Sequence, residues 1–232
     1  MFDSKNTPRT ITIERQESVL STNAVLRNTY MLLAMTLVFS ALMAFIAMTT
    51  NATLPSGIGG GLLFLGGSFG LLFLTQALRN SGWGILAVFA FTGFMGYFLG
   101  PLLNVYLTSF SNGGAIIMNA LATTGLVFFG LSAYVLTTRK DFSFMTGFIT
   151  AGAIALLVAV ILGIFFQSST FQLVLSTLFV LFTSAMILWQ TSAIVNGGER
   201  NYISATVMLY LQIYNLFVSL LQLFAAFTGN ND

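Results

Sequence analysis

Met31–Met48 reads MLLAMTLVFSALMAFIAM, a run with no charged residue and no alternation of apolar and polar positions. A strand of a membrane barrel alternates over about ten residues, so this run is a helix. Extended to 29–50, it is long enough to cross a hydrocarbon core of roughly 30 Å. Six further runs of the same kind follow, at 57–78, 83–107, 114–137, 142–166, 170–194 and 202–227. Each is about 22 to 26 residues long, enough for a tilted spanning helix. The chain is 56% hydrophobic and 6% charged, a composition that would not keep a water-soluble domain dissolved. The reading is an all-α membrane protein of seven transmembrane helices.

The basic residues set an expected orientation. Lys5, Arg9, Arg15 and Arg27 precede the first span, Arg79 follows the second, Arg139 and Lys140 follow the fourth, and Arg200 follows the sixth. All fall on one side of a seven-span chain, and the loops near 51–56, 108–113 and 167–169 carry no Lys or Arg. The positive-inside rule then predicts a cytoplasmic N-terminus and a periplasmic C-terminus. Seven-helix receptors and rhodopsins run the other way, and a retinal protein needs a lysine in a late span, which this chain lacks. The first 28 residues contain no apolar core of signal-peptide type, so the first span is expected to be an uncleaved anchor.

Three regions follow: a flexible cytoplasmic tail over 1–28, a bundle over 29–227 and a short C-terminal tail over 228–232. The first tail is polar, mixed in charge and contains Pro8. It is expected to be mostly irregular, with a surface helix over Glu14 to Leu20 and a cap at Ser21, Thr22 or Asn23 opening span one.

Chemistry is sparse. The acids Asp3, Glu14, Glu17, Asp141, Glu199 and Asp232 all lie outside the spans, and His and Cys are absent. Proton-coupled transporters place carboxylates or His within the bilayer, and metal sites need His, Cys or carboxylate clusters. The interior offers hydroxyls, amides and glycines, so neither catalysis nor a resident cofactor or metal is expected.

Two patterns point to packing and a polar interior. Gly147, Ala151, Ala155, Ala159 and Gly163 recur every fourth residue in span five; Gly66 with Gly70 and Gly96 with Gly100 do so in spans two and three. Such stripes let helices approach closely, within the bundle or across a homo-oligomer. Gly100-Pro101 is expected to kink or interrupt span three. On span seven, Gln212, Asn215, Ser219 and Gln222 share one face, predicted to point into the bundle and make the last helix central. On span six, Ser176, Thr183 and Gln190 do the same, and the Gln190 and Gln212 amides are expected to come within reach of each other. Interhelical hydrogen bonding is the simplest role for such groups; a polar lining for an ion or water path is the other.

Three blocks carry a family likeness: FTGFMGYFLGPLLNVY (Phe91–Tyr106), LSAYVLTTRKDFSFM (Leu131–Met145) and TSAIVNGGERNYISATVMLYLQIYNLFVSLL (Thr191–Leu221). They resemble the Bax inhibitor-1 family of seven-helix proteins over residues 18–227, and within it a bacterial branch described as modulators of the membrane AAA+ protease FtsH. The resemblance implies a cytoplasmic N-terminus, a central last helix and a tail, including Lys5, Arg9, Glu14, Arg15 and Glu17, that the protease grips. Other family members are implied to be pH-sensitive calcium leak channels latched by a carboxylate pair. The matching positions here hold Gln190 and Gln212, which cannot titrate and bind Ca2+ weakly, so a proton-controlled latch is not expected.

Overall fold

The computed structural model describes residues 7–53, 58–165 and 168–228, with the side chains of residues 7–21, 58 and 164 left out of account. Seven helices follow one another: α1 (Thr7–Thr49), α2 (Ile58–Leu78), α3 (Trp83–Ser109), α4 (Gly113–Thr138), α5 (Thr146–Phe165, entered through a 3-10 turn at Ser143–Met145), α6 (Ser169–Val195) and α7 (Tyr202–Thr228). All seven are long and apolar enough to span a membrane, α1 through its Thr22–Thr49 part. Their outer faces carry residues such as Phe73, Phe129 and Leu126, each about 70% exposed or more, which suits contact with lipid and not with water.

One correction concerns the N-terminal segment. The helix predicted over Glu14 to Leu20 is part of a longer one that begins at Thr7 and continues without a break into the first span. No new cap occurs at Ser21, Thr22 or Asn23. Pro8 is compatible with this start, because in a first helical turn its missing N–H has no partner to lose. Residues 1–6 and 229–232, with Lys5 and Asp232, lie outside the described residues.

α7 is the axis of the bundle. It packs against α1, α2, α3, α4 and α6, and α5 sits outside, against α6 and its own entry turn. Leu209, Leu216 and Leu221 of α7 are fully buried, as the predicted central last helix requires. α1 lies along α3 because glycine lets the backbones meet. A β-carbon on Gly96 would strike the Ser40 carbonyl, and one on Gly100 would stand 2.6 Å from the Ala47 β-carbon and 2.7 Å from the Ala44 carbonyl. The Gly96/Gly100 stripe therefore packs as expected.

Two other stripes do not. Gly66 and Gly70 have open space where a β-carbon would go. In α5, Gly147, Ala151 and Ala155 face outward, and the helix buries Ile149 and Leu156 instead, with Gly152 against the Phe182 ring of α6. Only the end of the stripe turns inward, where Ala159 and Gly163 are half-buried and a β-carbon on Gly163 would lie 3.3 Å from the Phe171 ring. Lipid tails and helix interiors are equally apolar, so a run of small residues does not by itself say which of the two it faces. α3 also runs through Pro101 without interruption, so the alternative of a broken span is ruled out.

The basic loops are tied to one end of the bundle. Asn201 caps α7: its Oδ1 accepts from the backbone N–H groups of Ile203 and Ser204, both at 3.0 Å. Its Nδ2 donates to the Arg79 carbonyl at 3.0 Å and to Asn80 Oδ1 at 2.9 Å, joining the α2–α3 and α6–α7 loops. α4 ends on Arg139 in the left-handed region, φ 49°, with its N–H bonded to the Val135 carbonyl. At the opposite end Asn112 Nδ2 donates to the Thr228 carbonyl at 3.0 Å.

Candidate functional site: a neutral polar core around the last helix

The polar stripe of α6 points inward throughout: Ser176, Thr183 and Gln190 are all buried. On α7 the stripe divides. Gln212 and Ser219 are buried, Asn215 is half-buried and Gln222 is exposed. The two helices meet through polar groups near the end remote from the basic loops, where Ser176 Oγ donates to Gln222 Oε1 at 2.6 Å. Thr183 Oγ1 spends its hydrogen bond on its own helix, at the Phe179 carbonyl, 2.7 Å away.

The predicted amide contact does not form. Gln190 and Gln212 are 4% and 6% exposed, and among the described residues neither side chain makes a hydrogen bond, to the other or elsewhere. Their surroundings differ. Gln190 lines a polar cavity of about 360 Å3 near the basic loops, together with Asp141, Thr146, Ser192, Asn196 and Glu199. Asn215 lines a separate, largely apolar cavity of about 590 Å3 between α2, α3 and α7. Gln212 lines neither. The residues singled out for a polar path thus belong to different spaces.

Both carboxylates beside Gln190 are partly engaged. Asp141 Oδ1 accepts from the Ser143 N–H and Glu199 Oε1 from the Asn201 N–H, each at 2.8 Å. Ser192 locks the turn between α4 and α5 onto α6: its Oγ accepts from the Phe142 N–H at 2.9 Å and donates to the Lys140 carbonyl at 3.1 Å. Lys140 itself lies 5.6 Å from the Tyr134 ring centroid. Hydrogen bonding to Tyr134 raises its pKa, so the ammonium charge at this end of the bundle is held firmly.

The strongest polar junction was not foreseen from the sequence. The Tyr210 hydroxyl of α7 stands 2.6 Å from Ser40 Oγ of α1 and donates to the Thr92 carbonyl of α3 at 3.2 Å. Ser40 is therefore the donor to Tyr210. Three helices meet at one fully buried phenol, with Phe91 edge-on to its ring at 6.0 Å. A tyrosine eight residues inside a span, away from the interfacial belt, was the available signal.

The arrangement is that of a multi-pass membrane protein whose described interior is held by uncharged hydrogen bonds and whose described charged residues gather at one end. Comparison with known proteins gives the class its name. Residues 22–229 match the model of the family described as Inhibitor of apoptosis-promoting Bax1, and the chain belongs to that family. A protein of Escherichia coli K12 named Modulator of FtsH protease YccA is 51% identical over 206 residues, covering 89% of this chain and 91% of the relative. The same identity holds for an E. coli O6:H1 protein named Inner membrane protein YccA. An uncharacterised Pseudomonas aeruginosa protein is 58% identical over 209 residues, 90% of this chain and 92% of its own. With seven apolar spanning helices and these relatives, this is a multi-pass inner-membrane protein.

Proposed function

We propose that the chain modulates an FtsH-type membrane protease, which engages its N-terminal segment, Met1 to Leu20, from the cytoplasm. The reading rests on the 51% identity to a relative named for that activity, and the course of α1 supplies a mechanism. The helix runs without a break from Thr7 to Thr49, so a pull on the segment bearing Arg9, Glu14, Arg15 and Glu17 passes straight into the first span. That span is held by its neighbours on two sides. Gly96 and Gly100 seat α3 directly against its backbone, and Tyr210 ties it to α7. Extraction must break this seam and bring a large apolar surface into water, which makes the chain a slow substrate that occupies the protease.

The orientation belongs to the same reading. Arg79, Arg139, Lys140 and Arg200 all lie in loops at one end, and the positive-inside rule puts that end and the N-terminal segment in the cytoplasm. A calcium or cation leak, the other activity within the family likeness, finds less support. The cavities lined by Gln190 and by Asn215 are separate, and Gln212 lines neither of them. The test is co-purification with the protease after crosslinking, with and without residues 2–20. Loss of capture and of protease restraint, with the bundle still folded, is the expected result. Restraint that survives the deletion would refute engagement through this segment.

A further inference from the structure

The 590 Å3 cavity between α2, α3 and α7 has a composition that protease engagement does not use. Its walls include Phe64, Phe69, Phe91 and Phe98, and its polar side chains are Ser68, whose hydroxyl donates to Met95 Sδ at 3.4 Å, Tyr214 and Asn215. Among the described residues, neither the Tyr214 hydroxyl nor the Asn215 amide makes a hydrogen bond. Tyr214 also borders a smaller cavity on the α1–α4 side, which Asn215 does not line. Among the described residues, no charged side chain lines the space.

Depth sharpens the point. Asn215 is thirteen residues from either end of α7, at the middle of a span of 27 residues. An amide and a phenol at the centre of a bilayer have no water and no lipid headgroup within reach, and leaving them unpaired is costly. Helix α2 on the cavity's outer side is the least buried of the seven spans, so entry is from the lipid phase.

We infer that this cavity binds a neutral, lipid-soluble molecule with a carbonyl oxygen on a flat conjugated ring, of the quinone class. Each element of the description answers to a feature of the walls. The absence of charge selects an uncharged ligand. The Asn215 Nδ2 and Tyr214 hydroxyl are donors, and a carbonyl is the acceptor they lack. Four phenylalanines favour a planar ring through offset or edge-on stacking. Mid-membrane depth suits a molecule that dwells among the acyl chains. A saturated lipid tail would fill the volume but leave both donors unpaired.

The test uses the full chain in phosphatidylcholine nanodiscs and a photoreactive short-chain benzoquinone. Labelling is expected within Phe64–Leu72, Phe91–Leu102 or Leu211–Val218, saturable and displaced by unlabelled decylubiquinone. Asn215→Leu should weaken binding roughly 2- to 12-fold, the range for one neutral hydrogen bond, with helix content and melting unchanged. Tyr214→Phe keeps the ring and serves as the second variant; an equal or smaller loss is expected. Displacement by a saturated hydrocarbon as effectively as by decylubiquinone would show an acyl-chain groove and overturn the assignment. So would labelling that does not saturate, or binding unchanged in both variants.

Discussion

The hydroxyls of Ser40 and Tyr210, 170 residues apart in sequence, lie 2.6 Å from each other at the buried junction of α1, α3 and α7. Each is almost fully removed from surface, and the Tyr210 hydroxyl donates a hydrogen bond to the Thr92 carbonyl. Tyr210→Phe removes both bonds and should therefore destabilise the bundle by about 0.6–1.7 kcal/mol for each, the average and the largest value measured for single hydrogen bonds inside membranes. A double-mutant cycle with Ser40→Ala, read by unfolding in detergent, should give a coupling close to the effect of Ser40→Ala and smaller than that of Tyr210→Phe, which also removes the bond to Thr92. Strictly additive effects would mean that the contact contributes nothing.

Glycine substitutions should separate two stripes that look alike in sequence. Gly96→Ala places a methyl group against the Ser40 carbonyl and should cost roughly 1–3 kcal/mol by forcing α1 from α3. Gly66→Ala meets open space and should leave stability unchanged or slightly improved, since alanine is the better helix former. Equal melting temperatures for the two variants would contradict the α1–α3 seam.

Asn201 serves four partners at once, capping α7 at Ile203 and Ser204 and holding the Arg79 and Asn80 loop. Asn201→Ala should cost about 1–2 kcal/mol, more than a cap alone because the loop contact goes with it. Hydrogen exchange is the appropriate readout: protection should fall at the first turn of α7 and around Arg79, not at the far end of the bundle.

The native chain contains no cysteine, which makes topology simple to measure. In intact cells a membrane-impermeant maleimide should label Gly114→Cys, where a side chain meets open space, and should spare Lys140→Cys. The reverse pattern would invert the proposed orientation.

Melting should be nearly independent of pH between about 6 and 9. Among the described spans no Asp, Glu or His is present, and Gln190 and Gln212 carry no titrating proton. Lys140 lies outside the spans with its pKa raised by hydrogen bonding to Tyr134. A raised folded value means that its contribution is complete below the ordinary 10.5 and is lost only as pH climbs through the higher, folded value. A steep transition between pH 6 and 8 would reveal an ionisable group acting inside the bundle.

Hydropathy alone specified the number of spans and nearly all their ends, because the bilayer forces long apolar runs into helices whatever their neighbours are. The heptad of Ser176, Thr183 and Gln190 likewise revealed the inward face of α6, and Gln212 with Ser219 did so for α7, since lipid excludes amides and hydroxyls more strongly than it sorts apolar side chains. Gln222, at the end of that stripe, is exposed. The tertiary structure decided what that rule leaves open. Gly147, Ala151 and Ala155 look outward while Gly96 and Gly100 pack inward, and no local pattern separates them, for protein and lipid interiors are alike to a glycine. Long-range pairing also chose Ser40 as the partner of Tyr210, and turned Gln190 and Asn215 toward different cavities. Helical periodicity orders residues around one axis; only the packing of seven axes determines which side chains on different helices come within a hydrogen bond of each other.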